Sequence, residues 1–438
     1  MSGLNFWDIA GADPSRVAVV DVDERKIAAG ELLASCNRLV HGLRALGLQP
    51  GDAIAAVLPN SLEVYELHLA IQQAGWYLIP INFHQVGPEI AYIVQDCEAK
   101  VLVAHERFGD ACTAAVEELD FPRDRCFGVG RIPGFRRYEE LGAGQPAQLP
   151  SNRTLGRTMH YTSGTTGRPK GVRRPLSEAA PDRSDFVTPL LAYGVKADET
   201  HVHLLACPWY HTAPLVMSIP SLHLGHTLVL MDKWQPERTL ELIQRYRVSI
   251  THLVPTQFVR LLALPEETRR QYDVSSLRHV IHGAAPCPPE VKRSMIDWWG
   301  PVLDEYYAST EGAGTIVFST DWLNKPGTVG RPRSADEIVI MDDDGQRLPA
   351  GHVGTVYLKP ATGDFEYFKD KEKTADSHRG SYFTVGDMGY FDEDGYLYLC
   401  DRKIDMIISG GVNIYPAEIE HVLINHPEVA DVAVFGIP

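Results

Sequence analysis

From Val17 onward, short β-rich runs alternate with segments whose apolar residues recur at helical spacing. VAVVD (Val17 to Asp21) leads into a stretch where Leu32, Cys36, Leu39, Leu43 and Leu46 fall every three or four positions, one stripe along a helix. AIAAVLP, YLIPI and VLVAH keep the rhythm, each separated by a helix candidate. After a Gly/Pro/Gln-rich stretch, Gly142 to Asn152, it resumes through HVHLLACP, TLVLM, SITHLV and HVIHGA, with PERTLELIQRYR and PPEVKRSMIDWWG between them. Such alternation predicts an α/β protein of mixed, mostly parallel, helix-flanked sheets, in two blocks over 1–150 and 151–330. Past Gly330, IVIMDDDGQRLP and GYFDEDGYLYL set Asp-Gly turns between strand-like runs, and GHVGTVYLK has almost no helical period; a small antiparallel β subdomain is expected over 331–400. The closing residues read as a Gly-Gly turn, a helix opened by Pro416 and a terminal strand, VAVFGI. They are too few to bury a core of their own, so either they pack on the larger body or the natural chain continues past Pro438.

Composition narrows the partners. With 41 basic against 57 acidic side chains in 438 residues, the net charge is −16. A surface this acidic repels nucleic acid and anionic lipid, so a phosphate-bearing ligand must be held by a local device. Seven scattered cysteines without a CxxC suit a reducing compartment and no zinc cluster. The start lacks a secretory signal and no apolar run approaches the roughly 20 residues that span a bilayer, so no transmembrane segment and a cytoplasmic location are expected. The oligomeric state stays open, a homodimer included.

The local device is Tyr161 to Val172, YTSGTTGRPKGV. Three glycines (Gly164, Gly167, Gly171), four hydroxyls (Thr162, Ser163, Thr165, Thr166) and Lys170 fall within twelve positions. Glycine lets backbone N–H groups turn toward an anion and the hydroxyls add donors, as a phosphate cradle requires. Glycine follows Lys170 where a Walker loop needs Ser or Thr for Mg²⁺.

As a whole string, YTSGTTGRPKGV resembles the signature loop of the adenylate-forming superfamily of acyl-CoA synthetases, luciferases and peptide-synthetase adenylation domains. Further motifs follow in order: CPWYHTAP (Cys207 to Pro214), LVPTQFVRLL, HGAAPCP (His282 to Pro288), EYYASTEG (Glu305 to Gly312), YFTVGDMGYFDEDGYLYLCDRKID and SGGVNIYPAEIE (Ser409 to Glu420). The resemblance is greatest to fatty-acid-type acyl-CoA synthetases. It implies a large N-terminal domain over 1–400, a hinge over 401–405 and the start of a C-terminal lid domain over 406–438.

The resemblance also implies roles. The loop of Thr162, Ser163, Gly164, Thr165, Thr166, Gly167 and Lys170 would grip the β- and γ-phosphates of ATP. Glu311 would hold Mg²⁺, with Thr310 beside the α-phosphate. Tyr307 would stack on adenine, while the backbone of Gly283, Ala284, Ala285 and Pro286 lines the base. Glu305, Tyr306, Ala308 and Ser309 belong to the same nucleotide-binding segment. Asp387 would accept from the ribose hydroxyls, and Arg402 would donate to ribose or phosphate. His211 and Tyr210 would border the substrate carboxylate, and Gly410 and Gly411 would let the pantetheine arm of CoA pass. Thr162, Lys170, His211 and Glu311 are the candidate catalytic residues. Blander readings exist: Glu311 as a helix start, Asp387 as a turn, His211 as packed core, Arg402 paired with Asp401 or Asp405, and Arg173 with Arg174 as a solvated basic pair.

Three departures from the superfamily pattern matter. The C-terminal lysine of the lid domain does not occur before Pro438, so weak adenylation is expected of these 438 residues. Ile404 stands where a charged hinge residue is common, with Lys403 one place early. Arg173 and Arg174 follow the loop where a histidine is frequent. CPWYHTAP offers no carboxylate to pair a substrate ammonium, which favours an uncharged acid: fatty, aromatic or alicyclic. The expected reaction makes acyl-AMP and then acyl-CoA from a fatty acid. The rivals are a ligase that loads a carrier protein and a non-catalytic nucleotide-binding module.

Overall fold

The computed structural model turns the alternation of the sequence into strands: β1 (Val17–Val20), β2 (Lys26–Ala28), β3 (Ala53–Val57), β4 (Tyr77–Pro80), β5 (Ala99–His105), β6 (Cys126–Val129), β7 (Arg136–Arg137), β8 (Arg157–Thr158), β9 (His160–Thr162) and β10 (Lys170–Arg173). There follow β11 (Val202–Leu205), β12 (Thr227–Leu230), β13 (Ile250–Leu253), β14 (His279–His282), β15 (Leu303–Ser309), β16 (Gly312–Val317), β17 (Ile338–Met341) and β18 (Gly354–Leu358). The set closes with β19 (Glu366–Tyr367), β20 (His378–Arg379), β21 (Tyr382–Phe383), β22 (Asp387–Phe391) and β23 (Leu397–Arg402), ahead of a short hairpin of Ile407–Ser409 with Val412–Ile414. Residues 4–162, 168–183, 185–334, 336–360, 364–403, 405–409, 412–423, 429 and 432–436 are described. They form two units: residues up to His252 with Pro265–His279 and Phe365–Asp370, and Leu253–Leu264 with Val280–Asp364 and the residues from Lys371 on.

The first unit contains a parallel sheet in the order β7–β6–β5–β3–β4–β8. Every residue of β3 and β4 is buried, as expected of parallel strands covered on both faces. The predicted stripe lies on the helix Ala29–Ala45, which buries Leu32, Cys36, Leu39 and Leu43, while Leu46 caps it half-buried. In a second sheet the strands run β13–β11–β12–β1–β2, parallel except for β2. Strands from the first sequence block therefore complete a sheet built by the second, with Val19 opposite Leu228. A third, antiparallel sheet joins β9, β10 and β19.

In the second unit β15 pairs parallel with β14 and antiparallel with β16. The small antiparallel sheet expected there has the order β20–β21–β18–β22–β23, with β17 on β18. The Asp-Gly turn of Asp392 to Gly395 closes the β22–β23 hairpin, the Gly395 N–H donating to the Asp392 carbonyl at 3.0 Å, the i to i+3 bond of a β-turn. Pro416 opens the helix Pro416–Leu423 as anticipated. The expected terminal strand is not formed over Val432–Gly436: the Val434 N–H donates to the Glu420 carboxylate at 2.8 Å, so a side chain takes the place of a ladder partner. No helix among the described residues is long and apolar enough to cross a membrane.

The first unit buries several imidazoles. Burial lowers His68, His160, His203 and His252 to about 3 and His226 to about 4. Near pH 7 these rings are neutral whether the chain is folded or not. Below about 6.5 the unfolded chain takes up protons that the fold refuses, so stability falls with pH at up to ~1.4 kcal/mol per unit for each ring that stays neutral. The urea midpoint should therefore drop steadily between pH 7 and 5; a flat profile over that range would contradict the neutral assignment.

Candidate functional site

The residues singled out by the sequence divide between the two units. In the first, antiparallel pairing sets Lys170 opposite Thr162, Gly171 opposite Tyr161 and Val172 opposite His160. Ser163, Gly164, Thr165, Thr166 and Gly167, which connect the two strands, lie outside the described residues. The helix Gly87–Asp96 anchors both flanks. Tyr161 Oη donates to Asp96 Oδ2 at 2.6 Å, Tyr92 Oη donates to the Pro169 carbonyl at 3.1 Å, and the Arg168 guanidinium lies 5.2 Å from the Tyr92 ring centre. Burial, foremost, pushes the Tyr161 hydroxyl up, so it remains a donor. Lys170 Nζ stands 3.0 Å from Asp370 Oδ2, and this carboxylate holds the ammonium above its ordinary range.

The basic pair after the loop is not simply solvated. The Arg173 guanidinium sits between the rings of Tyr77 and Phe368, at 4.9 and 4.7 Å, and Tyr77 Oη donates to the Arg174 carbonyl at 2.8 Å. Stacking between two aromatic faces replaces hydration with cation–π attraction.

The CPWYHTAP motif is a loop clamped by a residue the sequence reading missed. Asn60, just past β3, donates from Nδ2 to the carbonyls of Cys207 (3.1 Å) and Met231 (2.9 Å) and accepts the Trp209 N–H at 2.9 Å. Trp209 Nε1 donates to the Leu58 carbonyl at 2.8 Å. Tyr210 is buried, its ring 4.5 Å from His211 and 5.0 Å, edge-on, from Phe83, which stacks on Phe108 at 4.8 Å. His211 itself is exposed at the cap of the helix Thr212–His223 and so is not packed core.

In the second unit Glu311 and Thr310 form the tight turn between β15 and β16, not the start of a helix. Glu311 is buried. Ala308 lies opposite Gly314, whose missing side chain is required: a Cβ there would come within 1.8 Å of the Tyr307 carbonyl oxygen. Ser309 Oγ donates to the Gly312 carbonyl at 3.3 Å. Gly283 lies under Tyr306, where a Cβ would meet the ring at 2.7 Å. Ala284 follows with φ of 67°, a left-handed conformation that costs an L-residue about 1–2 kcal/mol. Ala284, Ala285 and Pro286 are exposed.

Asp387 opens β22 opposite Arg402. Tyr307 Oη donates to its Oδ2 at 2.7 Å, and Arg402 Nε is 3.5 Å from its Oδ1. Burial and then Asp387 push the Tyr307 hydroxyl well up, which fixes it as the donor. Arg402 thus pairs across the ladder with Asp387, while only its backbone N–H reaches the Asp401 carboxylate, at 2.7 Å. Each carboxylate oxygen of Asp387 keeps a lone pair for a further donor. Gly410, Gly411 and Ile404 lie outside the described residues; Lys403 is bonded to Asp343.

The Glu305 side chain is buried and paired in the interior. Its Oε2 accepts from the fully buried Lys292 at 2.7 Å, His282 Nε2 is 3.8 Å away, and the Lys292 ammonium lies 4.8 Å from the Trp322 ring centre. Alternation alone could not reveal this, since Lys292 belongs to the helix Pro289–Trp299. Replacing Lys292 by Met leaves a buried carboxylate without its counter-charge and should cost about 3–5 kcal/mol of stability. Adding Glu305→Leu should restore most of it in urea unfolding; no recovery would mean that the pair contributes more than charge balance.

A family model for AMP-binding enzymes matches residues 6–362. A long-chain-fatty-acid–CoA ligase of Mycobacterium tuberculosis is 33 % identical over 417 residues, covering 94 % of this chain and 80 % of its own. A feruloyl-CoA synthase of an Amycolatopsis species is 31 % identical over 441 residues, covering 100 % of this chain and 86 % of its own. Among solved structures, an anthranilate CoA ligase in complex with anthranoyl-AMP superposes with a TM-score of 0.85 at 26 % identity, over 100 % of this chain and 85 % of that one.

Proposed function

Because the chain belongs to the AMP-binding enzyme family, we propose that it is an acid–CoA ligase that joins a carboxylate to the α-phosphorus of ATP, expels pyrophosphate, and passes the acyl group from the acyl-AMP to the CoA thiol with release of AMP. The observation that carries this reading is the β9–β10 hairpin, which sets a cation, Lys170, opposite a hydroxyl, Thr162, at the ends of the signature loop. Both reactants are anions, so their approach is electrostatically uphill, and fixed positive charge must stand where the transition-state charge grows.

In this reading Lys170 and Thr162 hold the outgoing phosphates, and Thr310 lies beside the α-phosphate. Tyr307 takes adenine, with the exposed backbone of Ala284 to Pro286 along the base. Asp387 accepts from ribose hydroxyls on its remaining lone pairs, and Arg402 steadies it. Tyr210 and His211 border the substrate carboxylate. Among the described residues no three His, Cys, Asp or Glu side chains gather to hold a metal. A single carboxylate, Glu311, next to Thr310 suits Mg²⁺, which keeps most of its shell for water and substrate phosphates. Bound there, Mg²⁺ would neutralise phosphate charge.

The acid is proposed to be uncharged and apolar, a fatty acid first. The rings of Phe83, Phe108 and Tyr210 near His211 support an apolar tail, and so does the fatty-acid relative. The feruloyl and anthranilate relatives set the alternative, an aryl acid. Calorimetry with Mg·ATP should show binding that weakens about ten- to a hundredfold in Lys170→Met and in Asp387→Asn, the loss of a charge-assisted hydrogen bond worth roughly 1.5–3 kcal/mol. No heat of ATP uptake would sink the reading. Acyl-sulfamoyl adenosines with alkyl or aryl tails should then rank the acids, the alkyl series binding more tightly; an aryl preference would reassign the substrate.

A further inference from the structure

The three-stranded sheet of the first unit holds a carboxylate against the lysine of the signature loop, and nothing in the proposed chemistry uses it. Lys170 Nζ and Asp370 Oδ2 are 3.0 Å apart, with side chains 24 % and 23 % exposed, sheltered for an ion pair yet open to exchange. The backbone that carries Asp370 is fixed at several points. Tyr367 pairs with Val172, Phe368 donates its N–H to the Gly171 carbonyl at 2.8 Å, and the Asp370 N–H closes a turn onto the Tyr367 carbonyl at 2.9 Å. Lys369, within that turn, donates to the Asp96 carbonyl at 2.7 Å and pairs with Glu98 at 3.0 Å. Asp96 is the residue that accepts from Tyr161, so one helix end braces both the hairpin and the turn.

An ammonium at the edge of a phosphate site faces a problem when the site empties. Left alone it must be rehydrated, and its flexible stem then has many conformations to lose when a phosphate returns. A carboxylate at 3.0 Å keeps it paired and extended, but that carboxylate is also an anion competing for the same donors and repelling any phosphate nearby. We propose that Asp370 is a positioning residue: it holds Lys170 while the phosphate site is empty, yields it to a phosphate oxygen when the triphosphate binds, and recaptures it as pyrophosphate leaves. The ammonium exchanges one anion for another and is never stranded, and the returning carboxylate favours product release. This rests on the reading of Lys170 as a phosphate ligand, and it adds the group that governs how firmly that lysine holds.

The test is a double-mutant cycle read by calorimetric titration of Mg·pyrophosphate into the parent protein, Asp370→Asn, Lys170→Met and the double variant. Asp370→Asn should bind pyrophosphate about three- to tenfold more tightly, the competing pair and its repulsion having been removed. In the Lys170→Met background the same change should give a clearly smaller gain, since only the repulsion is then relieved and no paired ammonium is freed. Loss of a merely structural side chain would not tighten binding. Unchanged or weaker binding by Asp370→Asn overturns the proposal, and so does an equal gain in both backgrounds, because the carboxylate would then act on the phosphates without the lysine. If Lys170→Met alone leaves the affinity unaltered, the reading of Lys170 as a phosphate ligand fails, an outcome distinct from failure of Asp370. Asp370→Ser repeats the measurement should the asparagine variant unfold, and Asp370→Glu should return affinity to the parent level.

Discussion

Antiparallel pairing between β9 and β10 sets Lys170 across from Thr162, and much of the first unit serves to keep that register. A slip of one strand by one residue would turn its side chains to the opposite face of the ladder and part Lys170 from Thr162. The restraints against it are varied in kind: the short Tyr161–Asp96 bond, the Tyr92–Pro169 bond, the Arg173 guanidinium between two rings, and β19 on the outer side of β10. A chain with a net charge of −16 gains little from its overall field when it must hold a polyanion. In the proposed reading, fixing one cation, Lys170, opposite one hydroxyl, Thr162, supplies that local charge instead.

The second unit treats charge differently. Tyr307 and Glu305 are two positions apart on β15, yet their partners have opposite consequences. Tyr307 is bonded to Asp387, a carboxylate with capacity left for further donors. Glu305 is matched with Lys292 in the interior, where the pair ties β15 to the helix behind it. Gly283, buried under Tyr306, and Ala284, exposed in a left-handed conformation, show the same unit accepting close approach and local strain at adjacent positions.

Much of this was legible from period and motif. Parallel strands buried on both faces read as unbroken apolar runs, so β3, β4 and β5 announce themselves, and the stripe of Leu32 to Leu43 marks its helix. What period cannot carry is which strand lies beside which: the pairing of β1 with β12 joins residues some two hundred positions apart. The same limit hides Asp370, Asn60 and Lys292. Each is an ordinary polar residue in its own neighbourhood; Asp370 and Asn60 acquire their meaning from partners far along the chain, and Lys292 from a strand residue thirteen positions on that its helical pattern does not announce. Arg402 shows the converse, since the sequence offered it Asp401 and Asp405 close by while the ladder gave it Asp387. The terminal run VAVFGI has strand composition, but composition cannot supply an edge to pair with.

Asn60 has one more implication. Its three bonds end on main-chain atoms, the carbonyls of Cys207 and Met231 and the N–H of Trp209, so the path of the loop before Tyr210 and His211 does not rely on what those two side chains are. Laboratory evolution of acid selectivity therefore has a stable platform here: positions 210 and 211 are open to randomisation, provided that the amide at position 60 is left in place.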